Sequence, residues 1–247
     1  LLRRAGDAYF NMALDEALLE GVRRGLSPPT LRLYAFSPSA VTIGRFQRAR
    51  EVVDVELAER LGVPVVRRIT GGGAVYHDER GEVTYSVTAP VSLFPGSILD
   101  SYRKICAGLV RAISLLGLEA EFVPVNDVVI GGKKISGSAQ VRREFALLQH
   151  GTLMYATDLD TLADLLRVPR EKLAAHGVSS IRERVTTLSI ELGRQVSRSE
   201  VEEAMIAGFS EALEVELEEG EPSEWEIAEA ERIAQERYRS RDWNFGR

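Results

Sequence analysis

The chain has 247 residues, 45% of them hydrophobic, enough to bury a core as one large α/β domain or two small ones. Its formal net charge of −6 argues against a general nucleic-acid binder, because phosphate neutralisation needs a basic face. A single cysteine, Cys106, rules out an internal disulfide framework and a multi-cysteine zinc site. No run approaches the roughly twenty apolar residues of a membrane span and no secretory pattern opens the chain, so the expectation is a cytoplasmic protein with neither nucleic acid nor membrane as partner.

Asn11–Leu19 is rich in helix formers, with Leu14, Leu18 and Val22 on one side and acids on the other, and reads as an amphipathic first helix. Leu31–Phe36 alternates in the strand period, and Ala40–Gly44 follows as a second strand behind a Ser-Pro-Ser turn, so these two are expected to pair. Val52–Leu61 suits a short helix, Val63–Val66 a buried strand, and Val75–Val87 two β-rich runs hinged near Asp78–Gly81. Between Ser97 and Leu116 the apolar positions Ile98, Tyr102, Ile105, Leu109, Ile113 and Leu116 recur at three and four before Gly117, the pattern of a long core-facing helix. Cys106 lies on or beside that apolar face and reads as a buried structural thiol, since nothing nearby would hold a thiolate. Glu121–Pro124, Val128–Ile130, Lys134–Ser136 and Phe145–Tyr155 continue the sheet. Thr157–Val168, Ser199–Leu213 and Ser223–Tyr238 are then helical and form a helical layer, the last two opened by capping boxes at Ser199 and Ser223. No repeat or linker divides the chain, so one α+β domain over residues 1–247 is the simplest account.

Chemistry concentrates in two glycine-rich segments. Arg67-Arg68-Ile69-Thr70-Gly71-Gly72-Gly73-Ala74-Val75-Tyr76-His77-Asp78 sets three glycines beside a basic pair, and Asn126–Gln140 is a second glycine-rich hairpin that carries Lys133 and Lys134. Neither has the spacing of a P-loop or a dinucleotide fold. A turn or bulge accounts for the glycines alone, but a guanidinium able to fork onto phosphate or carboxylate, beside approachable peptide N–H groups, points to an anion. If Lys134–Ser136 is a strand, Lys134 and Ser136 face the same way, Lys133 faces away, and Gly137 admits a ligand to the backbone. For His77 and His150 a hydrogen-bonded structural role is the commoner one. Zinc spacings and the serine-hydrolase elbow are absent, while Asp127 is open to either a turn role or a Mg²⁺ contact.

Taken in order, these carriers span nearly the whole chain: Asn11-Met12-Ala13-Leu14-Asp15-Glu16, Thr42-Ile43-Gly44-Arg45-Phe46-Gln47, the Arg67–Asp78 run, Asn126-Asp127 with Gly132-Lys133-Lys134-Ile135-Ser136-Gly137-Ser138-Ala139, and His150-Gly151-Thr152-Leu153. Ser179–Leu188 and the terminal Tyr238, Asp242, Trp243 and Asn244 complete them. Together they resemble the lipoate–protein ligase A family, whose relatives are the biotin ligases and octanoyltransferases. The resemblance implies a biotin/lipoate ligase-like α+β fold, with a mixed or antiparallel β-sheet core flanked by α-helices. It also implies a two-step ligase that uses ATP and Mg²⁺ to turn lipoate into lipoyl-adenylate. The acyl group would then pass to a lysine of a lipoyl-carrier domain, such as the acyltransferase subunit of 2-oxoacid dehydrogenases or the glycine cleavage H protein. By that likeness Lys134 is catalytic, holding the carboxyl oxygen and α-phosphate as charge develops. Arg68 with Gly71, Gly72 and Gly73 would cradle carboxylate and phosphates, and Ala74, Val75 and His77 would line the site. Asn126 and Asp127 would face adenylate and Mg²⁺, and Ser136, Gly137, Ser138, Ala139, His150, Gly151 and Thr152 would complete the wall. No residue stands out as the base for the carrier lysine.

Two departures and three rivals accompany the resemblance. Glu82 follows Gly81 where many members have asparagine, and the likeness covers the catalytic domain without the C-terminal accessory domain of longer ligases, which leaves room for a separate accessory ligase subunit. The nearest rival is an octanoyltransferase or lipoyl amidotransferase working without ATP. Its cysteine nucleophile is expected just upstream of Asn126, where Val123-Pro124-Val125 stands, although a cysteine-free transferase using lysine keeps that rival open. A non-catalytic lipoate- or adenylate-binding protein is disfavoured by the retained Lys134 and glycine run, and a biotin ligase by the lack of its Gly-Arg-Gly-Arg loop.

Overall fold

The computed structural model describes residues 1–3, 5–168 and 177–246. Asp7 opens the first helix, α1 (Ala8–Arg24), by accepting from the Phe10 N–H, and Gly25 closes it in the left-handed region. The strands are β1 (Leu2–Arg3), β2 (Thr30–Tyr34), β3 (Ala40–Ile43), β4 (Val65–Arg67), β5 (Val75–His77), β6 (Glu82–Pro90), β7 (Glu121–Val123), β8 (Asp127–Ile130), β9 (Lys133–Arg143) and β10 (Ala146–Met154). The further helices are α2 (Ala49–Val52), α3 (Val55–Arg60), α4 (Ile98–Leu115), α5 (Leu159–Leu165), α6 (Ile181–Arg184), α7 (Leu188–Leu192), α8 (Arg198–Leu213), α9 (Glu224–Ile233) and α10 (Arg241–Phe245). A π-helical turn, Ala234–Tyr238, continues α9.

The larger sheet runs β1-β2-β6-β10-β9-β8-β7, antiparallel except where β1 lies beside β2. Strand alternation sorts its side chains into two cores. Leu31, Leu33, Val83, Tyr85, Val87 and Leu147 meet Ile105, Leu109 and Ile113 of α4 and Phe209 of α8. On the other face Tyr34 and Leu148 meet Leu14 and Leu18 of α1 and Ala230 and Ile233 of α9. Burying one such leucine is worth about 2 kcal/mol, and a one-residue slip would exchange the two faces, so the register is firmly set. The smaller sheet, β4-β3-β5, gathers Val41, Ile43, Val65 and Tyr76 with Leu162 and Leu165 of α5.

The mixed, mainly antiparallel sheet flanked by helices is the expected fold class, with element ends shifted by a few residues. Several local expectations are corrected. β2 and β3 do not pair, because both edges of β2 are occupied by β1 and β6 and β3 passes to the small sheet. The C-terminal helices do not form one layer, since α8 packs on α4 and α9 on α1, on opposite faces. Ser223 and Glu226 make the expected reciprocal cap, but α8 opens at Ser197, whose hydroxyl accepts from the Glu200 N–H in the role assigned to Ser199. Nor do the acids of α1 face water: Asp15 and Glu16 are 1% and 3% exposed. Glu16 accepts from the Tyr238 hydroxyl at 2.8 Å and pairs with Arg143 and Arg237, which ties α1 to the end of the chain. Among the described residues no helix is long and apolar enough to cross a membrane.

Candidate active site

The two glycine-rich segments face each other across a narrow cavity that opens into a wider cleft. Both spaces share Gly72, Gly73, Ala74, Val75, Asn126, Lys134, Gly137 and Thr152 as walls, so they form one continuous site. Arg68, His77, Ser138, Ala139, His150 and Gly151 also line the inner part. Met12, Tyr34, Thr42 and Thr84 line it too; Met12 and Thr42 stand in resemblance motifs without having been assigned to the site, and no motif marked Tyr34 or Thr84. Asp127 borders the wider cleft with Glu82, Arg184 and the apolar Val52, Met154, Leu162 and Val185. Gly71 and Ser136 are not wall residues: Gly71 turns its carbonyl to Arg68, and Ser136 is fully buried with its hydroxyl unpartnered among the described residues.

A bulge explains why Ser136 is lost from the wall. Val128 pairs with Ser136 but Val129 pairs with Lys134, so β9 carries one extra residue and Lys134 and Ser136 do not share the expected face. The Lys134 side chain instead lies over Gly137, where an added Cβ would meet Nζ at 2.5 Å. Lys134 Nζ pairs with Asp127 Oδ1 at 2.6 Å, and Asp127 Oδ2 accepts from Arg184 of α6 at 3.2 Å. Asn126 secures the turn, its Nδ2 donating to the Ser138 carbonyl at 2.5 Å and its own carbonyl accepting from the Ser138 N–H at 2.9 Å. With both Asp127 oxygens bracketed by cations, the expected Mg²⁺ contact does not fit this donor set. No group of three His, Cys, Asp or Glu side chains able to hold a metal occurs among the described residues.

Arg67 and Arg68 diverge as the strand period requires, and only Arg68 lines the cavity. Its guanidinium is held by acceptors of the protein itself. Nε donates to Thr70 Oγ1 at 3.0 Å, Nη1 reaches both Thr42 O and Thr42 Oγ1 at 3.3 Å, and Nη2 donates to the carbonyls of Gly71 at 2.6 Å and Gly73 at 2.8 Å. These contacts engage all of its donors, so Arg68 acts on the cavity through its charge and its hold on the loop. Burial draws its pKa down to about 10, which leaves it a cation at neutral pH. Glycine is required here twice over: Gly72 sits at φ 90°, and a Cβ on Gly44 would meet the Gly72 carbonyl oxygen at 2.1 Å.

Behind the threonines stand the two histidines. Thr70 Oγ1 is 2.7 Å from His150 Nε2, and Thr42 Oγ1 is 2.9 Å from His77 Nε2. His150 Nδ1 lies 2.8 Å from Asp15 Oδ2, and His77 Nδ1 lies 2.8 Å from Glu82 Oε1. Asp15 also accepts from the hydroxyls of Tyr34 and Ser86 and pairs with Arg32. Burial pushes Asp15 upward, but Arg32 and the hydrogen bonds from His150 and Ser86 prevail and hold it below the usual carboxylate range. Burial pulls His150 below the usual imidazole range against the attraction of Asp15, so the ring is neutral at neutral pH. Local reasoning placed Asp15 in a resemblance motif without assigning it to the site. The available signal was an acid amid apolar helix positions, matched by Arg32 in an otherwise apolar strand.

Cys106 is buried, as expected, 3.6 Å from Ser138 Oγ, and lines neither space. Burial pushes its thiol up to about 11.

Residues 7–210 match the family model described as the lipoyl protein ligase A/B catalytic domain. The chain is 39% identical to the octanoyltransferase LipM of Kyrpidia tusciae, over 97% of this chain and 95% of the relative. Among solved structures it is similar to a bipartite lipoate protein ligase from Thermoplasma acidophilum, with a TM-score of 0.86 and 35% identity over 99% of this chain and 96% of that one. It is equally similar in fold to a lipoate-protein ligase A bound with ATP, with a TM-score of 0.86 and 34% identity over 100% of this chain and 97% of that one.

Proposed function

Because the chain belongs to the lipoyl protein ligase A/B catalytic-domain family, we propose that it is an acyl-activating ligase that joins lipoate to AMP and passes the acyl group to a lysine of a lipoyl domain. The observation that carries this reading is Lys134, whose ammonium group lies where the narrow cavity meets the wider cleft, across from the glycine loop. An acyl chain in the cavity would end with its carboxylate at Lys134, and a nucleotide in the cleft would bring its α-phosphate to the same ammonium. A carboxylate oxygen attacks the α-phosphorus, the bond to the β-phosphate oxygen breaks, and pyrophosphate leaves. The carrier amine then attacks the acyl carbon, loses a proton, and AMP leaves with the bonding electron pair.

Both steps concentrate negative charge on oxygens beside Lys134, where one well-placed donor is worth about 3 kcal/mol. Arg68 adds positive potential from beneath the loop, in a setting that weakens the screening by water. ATP enters this reading as a co-substrate, and Mg²⁺ would arrive on its phosphates, consistent with the unsuitability of Asp127 as a resident site.

Octanoyl transfer from a thioester without ATP is the second reading, and relatives named octanoyltransferase LipM, 39%, 35% and 34% identical over nearly their whole length, support it more directly than they support the ligase. A thiol route needs a nucleophile in the cavity, whereas Cys106 is buried behind Ser138 with its pKa raised. A transferase in this chain would therefore act through Lys134 without an acyl-thiol intermediate.

The deciding experiment offers an apo lipoyl domain either lipoate with Mg-ATP or octanoyl-carrier protein, with and without a candidate accessory ligase subunit. The bipartite nature of the Thermoplasma relative motivates the accessory arm. Gain of the lipoyl mass together with pyrophosphate release is the expected result. Gain of the octanoyl mass without ATP would replace the ligase with the transferase, and no gain in any arm would remove both.

A further inference from the structure

Arg68 is buried with no carboxylate hydrogen-bonded to it among the described residues. The acids nearest along its hydrogen bonds are Asp15 and Glu82. One arm runs from Arg68 Nε through Thr70 and His150 to Asp15, the other from Arg68 Nη1 through Thr42 and His77 to Glu82, with links between 2.7 and 3.3 Å. A carboxylate only accepts, so each histidine presents Nδ1–H to its acid and leaves Nε2 to accept from a threonine hydroxyl. Each threonine oxygen then remains an acceptor for Arg68, and both arms acquire their direction from the acid inward.

The consequence reaches the loop. Arg68 draws the Gly71 and Gly73 carbonyls toward itself, and the two peptides concerned are trans, so the N–H groups of Gly72 and Ala74 point away from the guanidinium. Both of those residues line the cavity. We propose that Asp15 and Glu82 are positioning residues that hold Arg68 from two sides and thereby orient the peptide N–H groups of the glycine loop toward an anionic acyl ligand. The identity of that ligand rests on the ligase reading; the positioning itself does not.

The arms are not equivalent. Asp15 uses both oxygens, on Arg32 and Ser86 and on Tyr34 and His150. Glu82 uses Oε1 for His77 and Thr84 and leaves Oε2 buried without a partner among the described residues. Removing Asp15 strips a buried arginine of its counter-charge, whereas Glu82 can be replaced without that penalty. Glu82 is therefore the arm to test.

Glu82→Met removes the acceptor for His77, and Glu82→Gln keeps one. Nitrogen-15 spectra of the His77 ring are expected to show the Nδ1–H tautomer in the wild type and a shift toward Nε2–H in Glu82→Met. KM for the acyl substrate should rise about tenfold in Glu82→Met, the lower end of the range seen when the partner that orients a metal-binding histidine is lost, with a smaller change in kcat. Glu82→Gln should restore both readouts. Thr42→Val, which cuts the same arm at its middle, should raise KM alike and serves if Glu82→Met does not fold. An unchanged tautomer in Glu82→Met, or a changed tautomer with unchanged KM, would overturn the proposal. Failure of the ligase reading would show differently, as a wild-type chain that forms no lipoyl-adenylate while its ring spectra stay as described.

Discussion

Arg67 and Arg68 are neighbours, both buried and both bonded to backbone carbonyls, yet they serve different halves of the molecule. Arg67 donates to the carbonyls of Trp243 and Asn244 on α10 and to those of Gly44, Arg45 and Gln47 in the loop beside the glycine turn. Its backbone N–H donates to Asn244 Oδ1 at 2.8 Å. Trp243 lies under the Arg45 and Arg237 guanidiniums at 4.3 and 5.1 Å and completes this fastening. Arg68, one position on, turns to the cavity and shapes the loop that a ligand would meet. One step along a strand separates an arginine that joins chain segments from one that forms a site.

The strongest separation of the two faces is expected from Lys134→Ala. Acyl transfer should fall on the order of a hundredfold in single-turnover assays while the unfolding midpoint stays put, because a half-exposed charge leaves the cavity and the core is untouched. A lowered midpoint would move Lys134 to the structural side of the comparison. Arg67→Met should do the opposite, costing about 3 kcal/mol because several buried carbonyls lose their donor. Scanning calorimetry would register that as a fall of roughly 6–12 °C. Lipoate affinity, titrated at low temperature, should weaken less in Arg67→Met than in Arg68→Met, and equal losses would erase the distinction.

A third prediction uses acid. The His150 pKa is lowered in the fold, so below about pH 6.5 the unfolded chain takes up a proton that the folded chain refuses, and stability falls as pH falls through that range. The slope from one such group is at most about 1.4 kcal/mol per pH unit. Asp15, held below its ordinary range, contributes stability that is lost only in more acidic solution, under about pH 4. Urea midpoints of the wild type and of His150→Gln between pH 7 and 5 should therefore differ in slope, the variant being flatter, and parallel curves would refute the assignment. The smallest effect is expected from Trp243→Phe, which removes the Nε1 donation to the Arg67 carbonyl at 2.8 Å. About 1 kcal/mol of stability should be lost in urea denaturation, with acyl transfer unaltered.

Much of the fold was readable because its signals are local. The helix Ile98–Leu115 follows from a three-and-four spacing ended by Gly117, and the cap at Ser223 from the position of Glu226. Of the cavity wall, local signals pointed to Arg68, the glycine run, Lys134 and Gly137, whereas Val75, His77, His150, Gly151 and Thr152 were named through the family likeness, because a strand-end histidine by itself fits a structural role equally well. Ser136 was misplaced because a bulge between Val128 and Val129 breaks the alternation that the inference assumed, and nothing in the residue types there announces it. The pairing of β2 with β3 failed because a strand's partners depend on which edges are already taken. The acids of α1 were misread because helical period ranks faces by average character, whereas Asp15 and Glu16 are buried by partners distant in sequence.

Residue order alone places an anion-facing backbone and a lysine near each other in type and spacing, since φ freedom, strand period and charge are properties of a few consecutive residues. The state of the donors is another matter: whether a guanidinium reaches a ligand or a carbonyl, which nitrogen of a ring carries its proton, and which carboxylate meets which cation. Those outcomes arise when α1 closes on the sheet and brings Asp15 to His150 across 135 positions of chain, because a hydrogen bond requires its atoms within about 3 Å and only packing supplies that distance.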